Sequence, residues 1–260
     1  MIGAVQGAAE WLPISSKTQV MLFGMAALGL SPAEAFSAGL ALQGGTTLAA
    51  MHSFRSDVAN LARAAPRIFS KEGDQWVVLL RILAVMTAVT GIAGIPLLLF
   101  IKGQLANWSL RTANVLLGLA LLLTSLILRL RGGGAGERKP SVKDGILGGL
   151  AQSLSAIPGI SRSGATIATF GLAGLGPEES FRLSFLASIP ATLGSSFLEL
   201  LLDYRLLEFS GPGFFVSAIS SLMVGLLAIR LLLRASRRSG MALISAAFGA
   251  LSLSCAFLLP

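Results

Sequence analysis

The chain has 260 residues, 54% of them hydrophobic and only 12% charged, and a mean hydropathy of +0.79, which excludes an ordinary soluble domain and places it in a membrane. Its net charge of +8 does not indicate nucleic acid, because the basic residues fall in short clusters between apolar runs, as in cytoplasmic loops beside anionic lipid. The single cysteine, Cys255, excludes an internal disulfide framework and a cysteine-based metal site.

No basic segment with a cleavage site opens the chain, so its start reads as mature rather than as a signal peptide. Residues 1–30 are apolar but interrupted by Gln6, Glu10, Trp11, Pro13, Ser15, Ser16, Lys17, Thr18 and Gln19. That is too broken for a spanning helix of about 20 apolar residues. A helix, a break at Pro13–Ser16 and a second helix make a re-entrant hairpin, tolerated at membrane depth only where protein or water surrounds it. Gln6 and Glu10 share a helix face. Glu10 is the only carboxylate of this hairpin, suited either to a hard divalent cation, Mg²⁺ or Ca²⁺, or to taking a proton from a nucleophile.

A first span is expected over 32–54, opened by Ser31 as cap and Pro32 at the first helical position. Residues 55–75 mix Arg55, Arg63, Arg67 and Lys71 with Asp57, Glu72 and Asp74, as a loop or interfacial helix does. Spans follow at 76–100 and 110–129. A basic, glycine-rich linker over 131–143 separates a first unit, 1–130, from a second, 144–260.

The second unit repeats the first. A shift of 145 positions pairs Pro13 with Pro158, Ser16 with Ser161, Lys17 with Arg162, Pro32 with Pro177, Glu34 with Glu179 and Thr47-Leu48 with Thr192-Leu193, too many special residues for chance. A second hairpin is therefore expected at 144–176, followed by spans at 178–202, 211–233 and 241–259. The fold class is an all-α integral membrane protein with six transmembrane helices and two re-entrant hairpins; three spans per unit place the two copies in opposite orientations, an inverted repeat. Basic residues crowd 55–71, 129–143 and 230–238 and are sparse at 101–108 and 203–210. The crowded segments are thus cytoplasmic, and the hairpins enter from opposite faces.

The tip of the second hairpin, Pro158-Gly159-Ile160-Ser161-Arg162-Ser163-Gly164-Ala165-Thr166, is a polar knot in apolar surroundings, where a guanidinium and hydroxyls are costly. Glycines allow a tight turn, and Arg162 offers a planar fork of donors suited to phosphate oxygens. It reads as an anion pocket.

Gln6-Gly7-Ala8-Ala9-Glu10-Trp11-Leu12-Pro13-Ile14-Ser15-Ser16 resembles the first motif of the undecaprenyl-diphosphatase, or bacitracin-resistance, family. Gln152 with Pro158–Thr166 resembles the second, and Gln43-Gly44 and Ser184-Phe185-Leu186-Ala187-Ser188-Ile189-Pro190 agree as well. The resemblance covers nearly the whole chain. It implies a lipid diphosphate phosphatase with an inverted-repeat fold, a site open toward the outer face of the cell membrane and a divalent-cation requirement. One departure matters: the family continues Ser-Ser-Thr-Gly-His, with the histidine implicated in catalysis, whereas this chain reads Ser15-Ser16-Lys17-Thr18-Gln19. A carboxamide is no acid or base near neutral pH, and His52, the only histidine, reads as structural or interfacial. Five residues precede Gln6, fewer than expected, which suggests a start upstream of Met1.

The expected activity is hydrolysis of a polyprenyl diphosphate to its monophosphate and inorganic phosphate, recycling the carrier for envelope glycan synthesis. Glu10, Ser16 and Arg162 are the expected catalytic residues. Ser15, Lys17, Gln19, Ser161, Ser163, Gly164 and Thr166 are expected to bind phosphate, with Glu10 and Gln6 on the cation. The expected partners are the lipid substrate and the membrane, with no nucleic acid and a homodimer allowed for. The alternative is a non-hydrolytic carrier or scramblase for lipid-linked phosphate.

Overall fold

Every regular element among the described residues is helical. The structure, a computed structural model, describes residues 1–70, 74–105, 107–130, 138–202 and 205–235, with positions 247, 250 and 254 beyond them. The expected span at 241–259 and most of the linker, 131–137, lie outside the described residues.

The helical runs break near Pro13 and Pro158, as expected. Helix α1 (Ile2–Ala9) stops before Pro13, and α2 (Ser16–Leu28) restarts after Ser15, whose φ of 55° is rare for a residue with a side chain. Gly29, in the left-handed conformation, ends α2. Helix α3 (Pro32–Ser53) starts on a capping box in which Ser31 and Glu34 exchange hydrogen bonds. After α4 (Arg55–Ala64) and a single 3₁₀ turn come α5 (Gln75–Leu105) and α6 (Leu110–Leu130). In the second half, α7 (Val142–Ser153) starts on the Ser141/Asp144 capping box and ends in a 3₁₀ turn at Leu154–Ala156. Past Pro158 and Gly159 (φ 95°), α8 (Arg162–Leu172) begins with the Ser161 hydroxyl accepting from the Gly164 amide at 3.2 Å. Helices α9 (Pro177–Leu202) and α10 (Arg205–Ala235) follow. The last begins before the expected residue 211 and continues through Pro212, which lacks the amide hydrogen of an interior helical residue.

The helix before each break packs on a long helix of the other half, α1 on α10 and α7 on α5. Glycines permit this approach: a Cβ on Gly7 would lie 2.6 Å from the Ser221 carbonyl, and one on Gly149 2.8 Å from that of Met86. Close backbone contact through small residues holds helices together where lipid removes the hydrophobic incentive. Helices α3 and α9 meet at the centre, tied by Thr47 Oγ1 to Thr192 Oγ1 at 2.6 Å and by Ser196 donating to the Ala41 carbonyl at 2.6 Å.

Three described segments are long and apolar enough to cross a membrane: Gln75–Leu105, Pro177–Leu202 and Pro212–Leu231. Helix α3 has the length, but it buries Ser37, Gln43, Thr46 and Thr47, as an interior helix does. Apolar side chains such as Ile92, Phe100, Phe197 and Val216 are exposed, which suits lipid and not water. The chain is a multi-pass membrane protein.

Candidate functional site

The α1–α2 break and the start of α8 meet at Glu10. Burial would penalise this carboxylate heavily without partners, and three donors supply them. Arg162 Nη2 donates to Oε1 at 2.6 Å; Ser16 Oγ and Gln6 Nε2 each donate to Oε2 at 2.5 Å. Gln6 arrives one turn before Glu10 on α1, Ser16 opens α2, and Arg162 opens α8 from 152 residues away. Arg162 Nη1 also donates to the Ser188 carbonyl at 3.3 Å.

The two tips are stitched together elsewhere. Lys17 donates to the Ser155 carbonyl, and the Gly159 amide donates to Thr18 Oγ1 at 2.8 Å, the same hydroxyl that donates to Ser15 Oγ at 2.8 Å. Ser15, with its left-handed φ, sits at the turn; strain of this kind persists only where the surroundings hold it, commonly at functional sites. Gly159 cannot carry a side chain, since its Cβ would fall 2.5 Å from that of Ala120.

Arg162 and Lys17 form one end of a cavity of about 280 Å³ lying between α3, α5, the α7 turn and α9. Its polar lining includes Gln43, Thr90, Gln152, Thr192 and Ser195, and its apolar lining Leu40, Ile95, Leu98 and Leu198. Glu10 and Ser16 lie behind Arg162, outside this lining. Two cations beside a mixed polar and hydrocarbon lining suit an amphiphile with an anionic head.

The other expected site residues are placed as follows. Ser161 caps α8 and lies 3.2 Å from Ser163 Oγ, which reaches the Leu12 carbonyl at 3.5 Å. Thr166 bonds to the Arg162 carbonyl and, at 2.6 Å, to Ser184. The Gly164 amide is engaged by Ser161. These groups brace the tip and do not line the cavity. Gln19 donates to the Ile14 carbonyl at 3.0 Å within its own turn. His52 lies in the last turn of α3.

A family model described as "Bacitracin resistance protein BacA" matches residues 1–252. The chain belongs to that family. Among curated relatives, a protein of Saccharolobus solfataricus is 36% identical, covering 97% of this chain and 92% of the relative. One of Methanothrix thermoacetophila is 35% identical over 91% and 88%, and one of Pyrobaculum aerophilum 34% over 98% and 94%. Each relative is named undecaprenyl-diphosphatase. Within this frame Gln43 and Gln152, which carried the resemblance in sequence, are cavity-lining residues. Ser155 and Ser195 had no sequence signal of that kind, although the 145-residue shift sets Ser155 opposite Glu10.

Proposed function

We propose that the chain hydrolyses undecaprenyl diphosphate, or a similar polyprenyl diphosphate, to the monophosphate and inorganic phosphate, and so returns a lipid carrier to envelope glycan synthesis. The observation that carries this is Glu10 held between the Ser16 hydroxyl and the Arg162 guanidinium. A hydroxyl hydrogen-bonded to a carboxylate is a nucleophile with its base, and a guanidinium beside them suits the equatorial oxygens of a transferring phosphoryl group.

Arg162 turns from Glu10 to the terminal phosphate when substrate occupies the cavity, with Lys17 on the same head group. Ser16 Oγ attacks the terminal phosphorus and its proton passes to Glu10. The bond from phosphorus to the bridging oxygen breaks, its electron pair leaving with the lipid monophosphate, which takes the proton from Glu10. Water then cleaves the phosphoserine; Glu10 accepts a proton from that water and returns it to Ser16 Oγ, releasing inorganic phosphate.

The residues fit a divalent cation. Gln6 Oε1 is buried without a hydrogen-bond partner, and with Glu10 and the Ser16 hydroxyl it makes a set of hard oxygen donors. A site with one carboxylate suits an ion that takes its remaining ligands from phosphate and water. Gln6 and Glu10 would hold it, and when bound it supplies positive charge to the phosphates.

The inverted repeat belongs to the same proposal. Lys17 and Arg162 are equivalent under the 145-residue shift, as are Glu10 and Ser155; Lys17 bonds to Ser155 and Arg162 to Glu10. Thr47 bonds to its own equivalent, Thr192, 145 residues on, as residues on a pseudo-two-fold axis do. These contacts support two hairpins entering from opposite faces and a six-span protein of the cell membrane. The loop charges support a site reached from the outer side. A carrier without hydrolysis is not favoured, since it leaves the nucleophile and base unused and the relatives bear a hydrolase name.

Purified protein with Mg²⁺ should release phosphate from a C55 diphosphate, and Arg162→Ala should slow it at least about a hundredfold, the usual loss for a transition-state donor. Acid quenching with a labelled terminal phosphate should trap the label on Ser16. Absence of phosphate release from the wild-type protein sinks the assignment; release without label on Ser16 replaces the serine by a directly attacking water.

A further inference from the structure

The cavity holds far less than the proposed substrate. Its volume of about 280 Å³ falls below the roughly 300–1,000 Å³ that encloses a drug-sized ligand, whereas a polyprenyl chain has dozens of carbons. A head group bound at Lys17 and Arg162 must therefore send its tail out through a wall.

Only one wall is thin. On the α3 side, Leu40 and Gln43 are buried, and Gln152, Ser153, Ser155 and Ala156 are buried on the α7 side. Between α5 and α9 the lining includes the small residues Gly91, Ala191 and Gly194 beside Ile95, Pro190 and Leu198. Gly194 is exposed and Gly91 half-exposed while both line the cavity, so the cavity reaches the lipid-facing surface there. A Cβ added to either glycine meets no atom within 4 Å. Exposed Ile95, Leu99, Leu193 and Phe197 continue the apolar surface outward.

Both ends of this slot are closed. Toward one, Leu79, Ile82, Leu83 and Met86 pack against Leu183, Leu186 and Ala187. Toward the other, Lys102 donates to Glu199 at 2.6 Å, with Glu199 fully buried. The slot thus follows α5 from Thr87 to Leu98, about 16 Å of helix. An independent sign of a ligand lies at its inner side: Gln152, 1% exposed and lining the same cavity, has an Oε1 without a hydrogen-bond partner.

We infer that the α5–α9 slot is the port through which an isoprenoid tail leaves the head-group cavity, with Gly91 and Gly194 setting its width and Lys102–Glu199 strapping its outer end. The inference rests on the head group occupying the cavity as proposed above. With no side chain at either position the gap stays open, and the strap directs the tail sideways into lipid.

The test compares turnover of a C55 diphosphate with that of a soluble prenyl diphosphate of two isoprene units. Gly91→Leu and Gly194→Leu fill the slot without meeting a neighbour, and each should lower the long-to-short ratio at least about tenfold, as expected when remote binding is lost. Gly103→Leu, equally open on α5 but outside the cavity, should leave the ratio unchanged. Equal effects on both substrates, or none on the long one, overturn the port.

Binding is read separately with a polyprenyl monophosphate carrying a diazirine in its tail. Photolabel should appear on α5 or α9 and disappear in Gly194→Leu; label elsewhere, or label unchanged in that variant, overturns the port whatever the hydrolysis result. If the wild-type protein hydrolyses neither diphosphate but labels as expected, the phosphatase assignment fails and the port stands.

Discussion

Glu10 gathers contacts from three helices, and its neighbour in sequence shows how selective that gathering is. Gln19 stands where the family carries a histidine, yet its amide is spent on the Ile14 carbonyl, and it is not among the hydrogen-bond partners of Glu10. Losing that bond costs about 0.5–1.5 kcal/mol of stability. It removes nothing from the phosphate's surroundings. Gln19→Ala should therefore change turnover less than about fivefold, while a contact to the developing charge would cost about a hundredfold. Steady-state kinetics on the C55 diphosphate decide between them. In the proposed mechanism the proton transfers then fall to Glu10 and Ser16, a carboxylate–hydroxyl pair bonded at 2.5 Å.

Helix ends were legible in the sequence because caps and breaks are local chemistry. Ser31-Pro32 with Glu34, and the prolines at 13 and 158, mark boundaries that need no tertiary information. The Asp144 cap was less visible, since Ser141 sits in a basic linker next to Asp144 and the strongest partner, Arg138, comes from that linker. Burial pushes the Asp144 carboxyl up, but Arg138 at 2.6 and 3.0 Å and the Ser141 amide and hydroxyl at 2.7 and 2.9 Å outweigh it and hold it below its ordinary 3.8. A depressed carboxylate contributes stability that is complete above the unfolded pKa and is lost as pH falls through the lower folded value. Asp144→Asn should thus cost about 0.5–2 kcal/mol near neutrality, and the gap to wild type should close below about pH 4. Thermal unfolding in detergent across that range measures it; a gap independent of pH removes the ionised cap.

At the scale of the molecule, what the sequence revealed was an internal repeat, and what it hid was pairing across helices. The 145-residue shift made both proline breaks and the equivalence of Lys17 and Arg162 readable, because prolines and charges inside apolar sequence are rare enough to align. Lys102 and Glu199 gave no such signal: each is one polar residue near the end of an apolar helix, and only the approach of α5 to α9 makes them partners. The same holds for Gln43 with Ser195, bonded at 2.8 Å. Orientation is the remaining large-scale consequence of the charge pattern. With Cys255 replaced by serine, single cysteines at position 69, exposed beside Arg67, and at position 107, exposed between α5 and α6, bracket one crossing by α5. A membrane-impermeant maleimide on intact cells should label Asn107→Cys at once and Phe69→Cys only after permeabilisation. Labelling of both from outside would mean that α5 does not cross; the reverse pattern would turn the cavity toward the cytoplasm and remove the outer-face site. The strap between Lys102 and Glu199 lies within one turn of the α5 end that position 107 reports, so the same experiment fixes the leaflet toward which the tail port opens.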